Sequence, residues 1–233
     1  MTTKPLIVIP VKAFGLAKSR LGDTLSPDRR SALAQRLCQR TLSFFARHFP
    51  EHDRLVVTAS AAIGRLAKHH GAMVLEEPAA DGLSRAAGRA AEWARRRGYA
   101  AQLLIPADIV QLDAREIRRL LAAHQVRPYA VICPASDGGT NALLTSPPDA
   151  LPFRFGPRSA EAHREAALRR GLDCRVLTLP HLRFDLDTPT DLDTLDTLIR
   201  HHGGETPQEL KTLWKLCTTP TGTTSWPAWP TTL

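Results

Sequence analysis

Short apolar runs rich in β-branched residues alternate with longer helical patterns along almost the whole chain, and this alternation constrains the fold most. Leu6–Val11, Leu55–Thr58, Met73–Leu75, Gln102–Ile105, Ala130–Cys133 and Arg175–Leu179 read as strands. Between them the periodicity predicts helices at about 27–48, 61–70, 83–97, 114–124 and 159–170. Punctuation supports the boundaries. Ser26 reads as an N-cap with Pro27 at N1 and Asp28 in the opening turn. Arg95-Arg96-Arg97 before Gly98 closes a helix, because cations complement the dipole there and glycine accepts the left-handed position beyond it. Thr188-Pro189-Thr190-Asp191 opens another helix with a capping box. Elements in this order imply an α/β fold with a single doubly wound, mostly parallel sheet and right-handed crossovers.

A chain of 233 residues supports one well-buried domain and leaves little for a second. Residues 1–202 are expected to form it. Residues 203–233 are expected to hold one short amphipathic helix, marked by Leu210, Leu213, Trp214 and Leu216, and then a Thr/Pro/Trp tail. That tail reads as loose, with docking of Trp226 and Trp229 on the body, or on a second copy in a homodimer, as the alternative. No apolar run approaches the roughly 18–20 residues of a membrane span. The N-terminus reads as a buried strand and not as a secretory signal, so a cytoplasmic location without a membrane partner is expected. Cys38, Cys133, Cys174 and Cys217 form no C-x-x-C pair and read as reduced packing residues. The net charge of +8 is scattered along the chain, which argues against a nucleic-acid partner and for an anionic small molecule.

In an open α/β sheet, ligands gather at the carboxyl ends of the strands. After the first strand, Lys12, Lys18 and Arg20 place three cations within a short loop, which suits a triphosphate. Leu104-Ile105-Pro106-Ala107-Asp108 ends an apolar strand in a carboxylate, and Asp185 and Asp187 alternate along an extended segment. Asp108 with one or both of them makes an oxygen-rich site suited to Mg²⁺. Farther along, Gly138-Gly139 frees the backbone for close approach, with Thr140 and Asn141 as donors beside it. Gly156 and Ser159 then precede a helix, where unpaired N–H groups favour anions. These two donor-rich turns flank one short strand and look like a pocket for a small, multiply charged acid.

On these residues the chain resembles the CofC/FbiD-type guanylyltransferases of coenzyme F(420) biosynthesis, within the wider nucleotidyltransferases of glycosyltransferase-A-like fold. The marks, spread over about residues 5–200, are Ile-Pro-Val-Lys at 9–12 with Ala-Lys-Ser-Arg-Leu at 17–21, Gly82-Leu83 before a helix, Ala107-Asp108, and Gly-Gly-Thr-Asn-Ala-Leu at 138–143. Phe155-Gly156, Ser159, His163 and Asp-x-Asp-Thr-Pro-x-Asp-Leu at 185–192 complete them. The resemblance implies transfer of GMP from GTP to a phosphorylated three-carbon carboxylic acid with release of pyrophosphate. Lys12, Lys18 and Arg20 would hold the triphosphate, with Gly82 and Leu83 beside the nucleotide. Asp108, Asp185 and Asp187 would hold Mg²⁺. Thr140, Gly156 and Ser159 would grip the acid, with His163 nearby.

Ser84 and Ile109-Val110 depart from the family's usual Asn and Leu-Pro. The acid could be 3-phospho-D-glycerate, phosphoenolpyruvate or 2-phospho-L-lactate. An Arg-rich composition of the kind a GC-rich bacterium encodes favours the first two. Hand-off of a labile product to the next enzyme is a further expectation. A molybdopterin or sugar-phosphate nucleotidyltransferase is the alternative, weakened by the missing Gly-Gly-x-Gly-x-Arg loop. A non-catalytic protein retaining the fold is the other.

Overall fold

β1 (Leu6–Pro10) shows how the sheet is covered. In the computed structural model, which describes residues 4–123, 128–201 and 208–218, Leu6, Ile7, Val8 and Ile9 are all fully buried. Successive side chains of a strand point to opposite faces. Ile7 and Ile9 therefore pack with Cys38, Leu42 and Phe45 of α1 (Pro27–His48), while Leu6 and Val8 meet Ala86, Ala87, Ala90 and Ala94 of α3 (Leu83–Arg96). A strand buried on both sides needs an unbroken apolar run, and this one has it. The same partition recurs in β2 (Arg54–Thr58) and β4 (Gln102–Leu104), with Val56 and Leu103 on the α1 side and Leu55, Val57 and Leu104 on the α3 side.

Seven strands form one sheet. Their order is β3 (Met73–Glu76), β2, β1, β4, β6 (Thr140–Ser146), β5 (Tyr129–Pro134) and β7 (Asp173–Val176). All neighbours are parallel except β6, which runs antiparallel to both β4 and β5. β6 is the strand expected between the two donor-rich turns, and its reversal follows from the tight turn at residues 135–139. α2 (Ala61–His69), α4 (Ala114–Leu121), α5 (Ser159–Arg169), α6 (Pro189–His201) and α7 (Gln208–Thr218) complete the order.

Most boundaries fall within one residue of expectation; those of β7 and α4 differ by more. β7 begins at Asp173 and ends at Val176, because Leu177 makes the last bond to β5, through Ile132 O, before the chain leaves the sheet. α4 stops at Leu121. Ser26 occupies the N-cap of α1, but its side chain makes no capping bond, and Asp28 supplies the favourable first-turn charge.

A second apolar centre gathers Leu33 and Leu37 of α1, Leu192 and Leu195 of α6, and Leu210, Leu213 and Cys217 of α7 around Leu21, Val110 and Leu186. α7 thus packs on the body, while Trp226 and Trp229 lie outside the described residues. All four cysteines are free, and burial pushes the Cys38, Cys133 and Cys217 thiols up to about 12, in keeping with packing roles. Among the described residues no helix is long and apolar enough to cross a membrane.

The alanine face of α3 lets that helix approach the sheet closely. Ala90→Leu should therefore lower stability by about 1–3 kcal/mol in urea unfolding, the usual range for overpacking. An unchanged midpoint would mean that α3 is free to back away.

Candidate active site

Three segments far apart in sequence converge on the Lys18 side chain. Its ammonium donates to Asp108 Oδ2 at 2.8 Å and to Asp187 Oδ1 at 3.0 Å, across 90 and 169 residues. Lys18 is almost fully buried, whereas both carboxylates keep an open edge. Burial by itself would pull the ammonium below the ordinary lysine range. The charges of Asp108 and Asp187, with hydrogen bonds to both, outweigh that and hold it above.

Local sequence explains each placement. Lys18 lies between the buried residues Ala17 and Leu21, which fix the loop after β1 at both ends. Its backbone is left-handed (φ 56°), an uncommon conformation for a side chain with a Cβ and one that costs about 1–3 kcal/mol. Asp108 follows β4, and the buried pair Ile109 and Val110 laces it to the second segment. Val110 N–H donates to Phe184 O at 3.0 Å, and Ile109 bridges to Asp185. The departure from Leu-Pro therefore has a use, since proline could not donate that bond. Thr41 Oγ1 donates to Ala107 O, and Arg40 donates to Val110 O, so α1 holds the same turn from behind.

The Asp185–Asp187 segment is fixed from two sides. Glu116 of α4 accepts from His181 N–H at 3.1 Å and Leu182 N–H at 3.0 Å, and pairs with His181 Nδ1 at 3.0 Å. At the other end Asp191 Oδ2 accepts from Asp187 N–H, Thr188 N–H and the Thr188 hydroxyl. The carboxylate thus supplies the reach-back half of the expected capping box, while Asp191 N–H donates to the Thr188 carbonyl and not to its hydroxyl.

Asp185 is half-buried between the buried Phe184 and Leu186 and accepts from Asn141 Nδ2 at 3.0 Å. Burial first, and then the nearby Asp108 charge, push its carboxyl up to about 6; the Asn141 bond opposes this and Asp187 adds to it. Among the described residues no three His, Cys, Asp or Glu side chains are arranged to hold a metal by themselves. Asp108 and Asp187 nevertheless already share one cation, the Lys18 ammonium. Such a pair fits Mg²⁺, which needs only one or two carboxylates when phosphates and waters supply the rest.

These groups line a cleft of about 460 Å³ at the carboxyl ends of β1, β2 and β4. Lys12, Lys18 and Arg20 line it together with Asp108 and Asp187, and Val57, Glu77, Gly82, Leu83 and Ala86 line the end beside the start of α3. Arg89 holds the rim of that end by donating to Glu77 at 2.8 Å and Asp81 at 2.7 Å.

Thr140, Ser159 and His163 meet one another outside this cleft lining. Thr140 Oγ1 is 2.9 Å from Ser159 Oγ and 3.1 Å from His163 Nδ1, while Arg154 N–H donates to His163 Nε2 at 3.0 Å. All three side chains are buried, so His163 is not a surface residue. Burial lowers its pKa to about 4. The loop carrying Gly156 continues from this cluster to the cleft, because Phe155 N–H donates to Ser84 Oγ at 2.9 Å beside Leu83. Ser84 is thus engaged by the backbone of that loop.

The structure brings Lys12, Lys18, Arg20, Asp108, Asp187, Gly82 and Leu83 into one cleft, puts Asp185 beneath it, and groups Thr140, Ser159 and His163 next to it. Arg40, Arg89 and Glu116 were not foreseen. Glu116 carried the only local signal, as the acidic third residue of a helix capped by Asp113. Arg40 and Arg89 sit in the middle of amphipathic helices, where nothing local separates a tether from a solvated arginine.

Comparison with known proteins gives a consistent result. Residues 5–220 match the model of the family described as "Guanylyl transferase CofC like". A 3-phospho-D-glycerate guanylyltransferase from Colwellia psychrerythraea is 47% identical over 213 residues, covering 91% of this chain and 98% of that protein. A phosphoenolpyruvate guanylyltransferase from Rubrobacter xylanophilus is 40% identical over 190 residues, covering 81% and 92%. Among solved structures, a cytidylyltransferase from Leptospira borgpetersenii shares the fold at a TM-score of 0.56 and 14% identity, covering 96% of this chain and 100% of that one.

The buried imidazole has a measurable consequence. An unfolded histidine takes up a proton near pH 6.5, whereas folded His163 does so only near pH 4. Between those values the unfolded state binds more protons, so stability falls as pH drops through the window, by up to roughly 3 kcal/mol from this residue. Urea midpoints at pH 7 and pH 4.5 should differ less in His163→Gln than in the wild type. An equal pH dependence in both would contradict the burial.

Proposed function

This chain belongs to the family of CofC-like guanylyl transferases, and we propose that it moves GMP from GTP onto 3-phospho-D-glycerate with release of pyrophosphate. The observation that carries the reading is the cleft in which three cations face two carboxylates already sharing a positive charge. The identity of 47% to a 3-phospho-D-glycerate enzyme favours that acid over the phosphoenolpyruvate and 2-phospho-L-lactate of more distant relatives. On the family resemblance, the activated acid would enter coenzyme F(420) biosynthesis.

The chemistry follows from charge. By analogy with phosphoserine, whose second pKa is about 6, the acid's phosphate is mostly dianionic near neutral pH and attacks without a general base. One of its oxygens forms a bond to the α-phosphorus of GTP, and the bond from that phosphorus to the β-bridging oxygen breaks. Pyrophosphate leaves with the electron pair. Two polyanions must be held in line while negative charge grows on the departing oxygen. Lys12, Lys18 and Arg20 neutralise the triphosphate, and Lys18 is held beforehand in a strained backbone and in place. Gly82 and Leu83 border the nucleoside end. Asp108 and Asp187, with Asp185 beneath, would hold Mg²⁺, which when bound supplies Lewis-acid stabilisation of the phosphate oxygens. Thr140, Gly156 and Ser159 receive the acid on the adjoining side.

Pyrophosphate release should appear with GTP, Mg²⁺ and 3-phospho-D-glycerate, and be far slower with CTP or with the other two acids. Asp108→Ala should lower kcat by at least about 100-fold, measured at a temperature where a melting curve shows the variant folded, because the change also leaves the Lys18 ammonium with one partner fewer. Wild-type rates in that variant would remove Asp108 from the reaction. Faster release with phosphoenolpyruvate would overturn the choice of acid.

A further inference from the structure

We propose that His163 is a positioning residue whose tautomer turns the Thr140–Ser159 pair into an obligatory hydrogen-bond donor for an anionic oxygen of the acid substrate. The inference deepens the acceptor side of the proposed function and rests on it.

A count of protons carries it. Arg154 N–H points at His163 Nε2 from 3.0 Å, so Nε2 must be a bare acceptor. The imidazole is fully buried, and its lowered pKa keeps it neutral. Its one N–H is therefore on Nδ1, 3.1 Å from Thr140 Oγ1, and Thr140 accepts it. Thr140 and Ser159 together hold two hydroxyl hydrogens, and the 2.9 Å bond between them uses only one. If Thr140 donates to Ser159, the Ser159 hydrogen is left over; if Ser159 donates, the Thr140 hydrogen is. Among the described residues neither hydroxyl has a third hydrogen-bond partner. Thr140 keeps 6% of its surface exposed, against 1% for Ser159 and none for His163.

The tautomer decides the outcome. Were Nδ1 bare, Thr140 would donate to it and Ser159 to Thr140, and no hydrogen would remain. The backbone N–H of Arg154 thus sets the polarity of hydroxyls two bonds away. A surplus buried donor is costly until an acceptor arrives. Carboxylate and phosphate oxygens only accept, so they satisfy it, whereas a group that can only donate does not. The place suits such an anion. Gly138 and Gly156 both have positive φ and open space around the Cβ position, and the loop from Arg154 to Arg158 that borders it is tethered to the cleft wall at Ser84.

Two conservative variants separate the two faces of the ring. The amide of His163→Asn overlays Nδ1 and retains an N–H for Thr140. That of His163→Gln overlays Nε2 and retains only the acceptor for Arg154. With melting curves confirming that both fold, His163→Gln should raise the KM for the acid roughly tenfold with the KM for GTP within about twofold, and His163→Asn should recover most of that loss. Equal effects of both variants, or equal rises in the two KM values, overturn the inference. A second readout uses the wild-type protein: imidazole ¹H–¹⁵N correlation should place the proton on Nδ1 and shift on addition of the acid but not of GTP. A proton on Nε2 overturns the inference whatever the substrate. Absence of pyrophosphate release by the wild type with every phosphorylated acid overturns the function itself, and this inference's substrate with it.

Discussion

Everything at the cleft depends on one cation placed between two anions. Lys18 is nearly buried, and a buried ammonium persists only because Asp108 and Asp187 both hold it. The dependence is mutual. Without that charge the two carboxylates would face each other across a partly dry space. Removing one member of a buried ion pair typically costs 3–5 kcal/mol, so this triad also joins the loop after β1 to the turn after β4 and to the segment before α6. A left-handed lysine backbone is tolerated where the surroundings fix it so completely.

In the proposed reaction the site would grip two anions in two physical ways. On the nucleotide side the tools are full charges, suited to neutralising a triphosphate and its leaving pyrophosphate. On the proposed acid side Thr140, Ser159 and His163 are neutral and buried, and they would act through the direction of their hydrogens. Neutral donors would withdraw less charge from a bound phosphate than a cation would, and so leave it more nucleophilic. The loop tied to Ser84 joins the two halves mechanically.

Much of this was legible in the sequence. Short, β-branched apolar runs such as Leu6–Ile9, closed by Pro10, suit strands buried on both faces, and the limits of α1 matched their punctuation. Cations and carboxylates at strand ends were legible because the fold places ligands there. β7 was expected two residues late at its start and three at its end, because its hydrogen bonds are set by β5 and not by local composition. His163 was legible as a neighbour of Ser159 but not as a buried residue, since burial follows from how α5 packs on the sheet. Arg40 and Arg89 were invisible for the same reason: each acts on backbone or carboxylates brought near by tertiary structure.

The central claim is that the acid's own phosphate attacks the α-phosphorus of GTP. It is tested most directly with 3-phospho-D-glycerate carrying ¹⁸O at the non-bridging oxygens of its phosphate. The account predicts that the product contains ¹⁸O in the bridge between its two phosphorus atoms and that the released pyrophosphate contains none. Label in the pyrophosphate, or an unlabelled bridge, would contradict it.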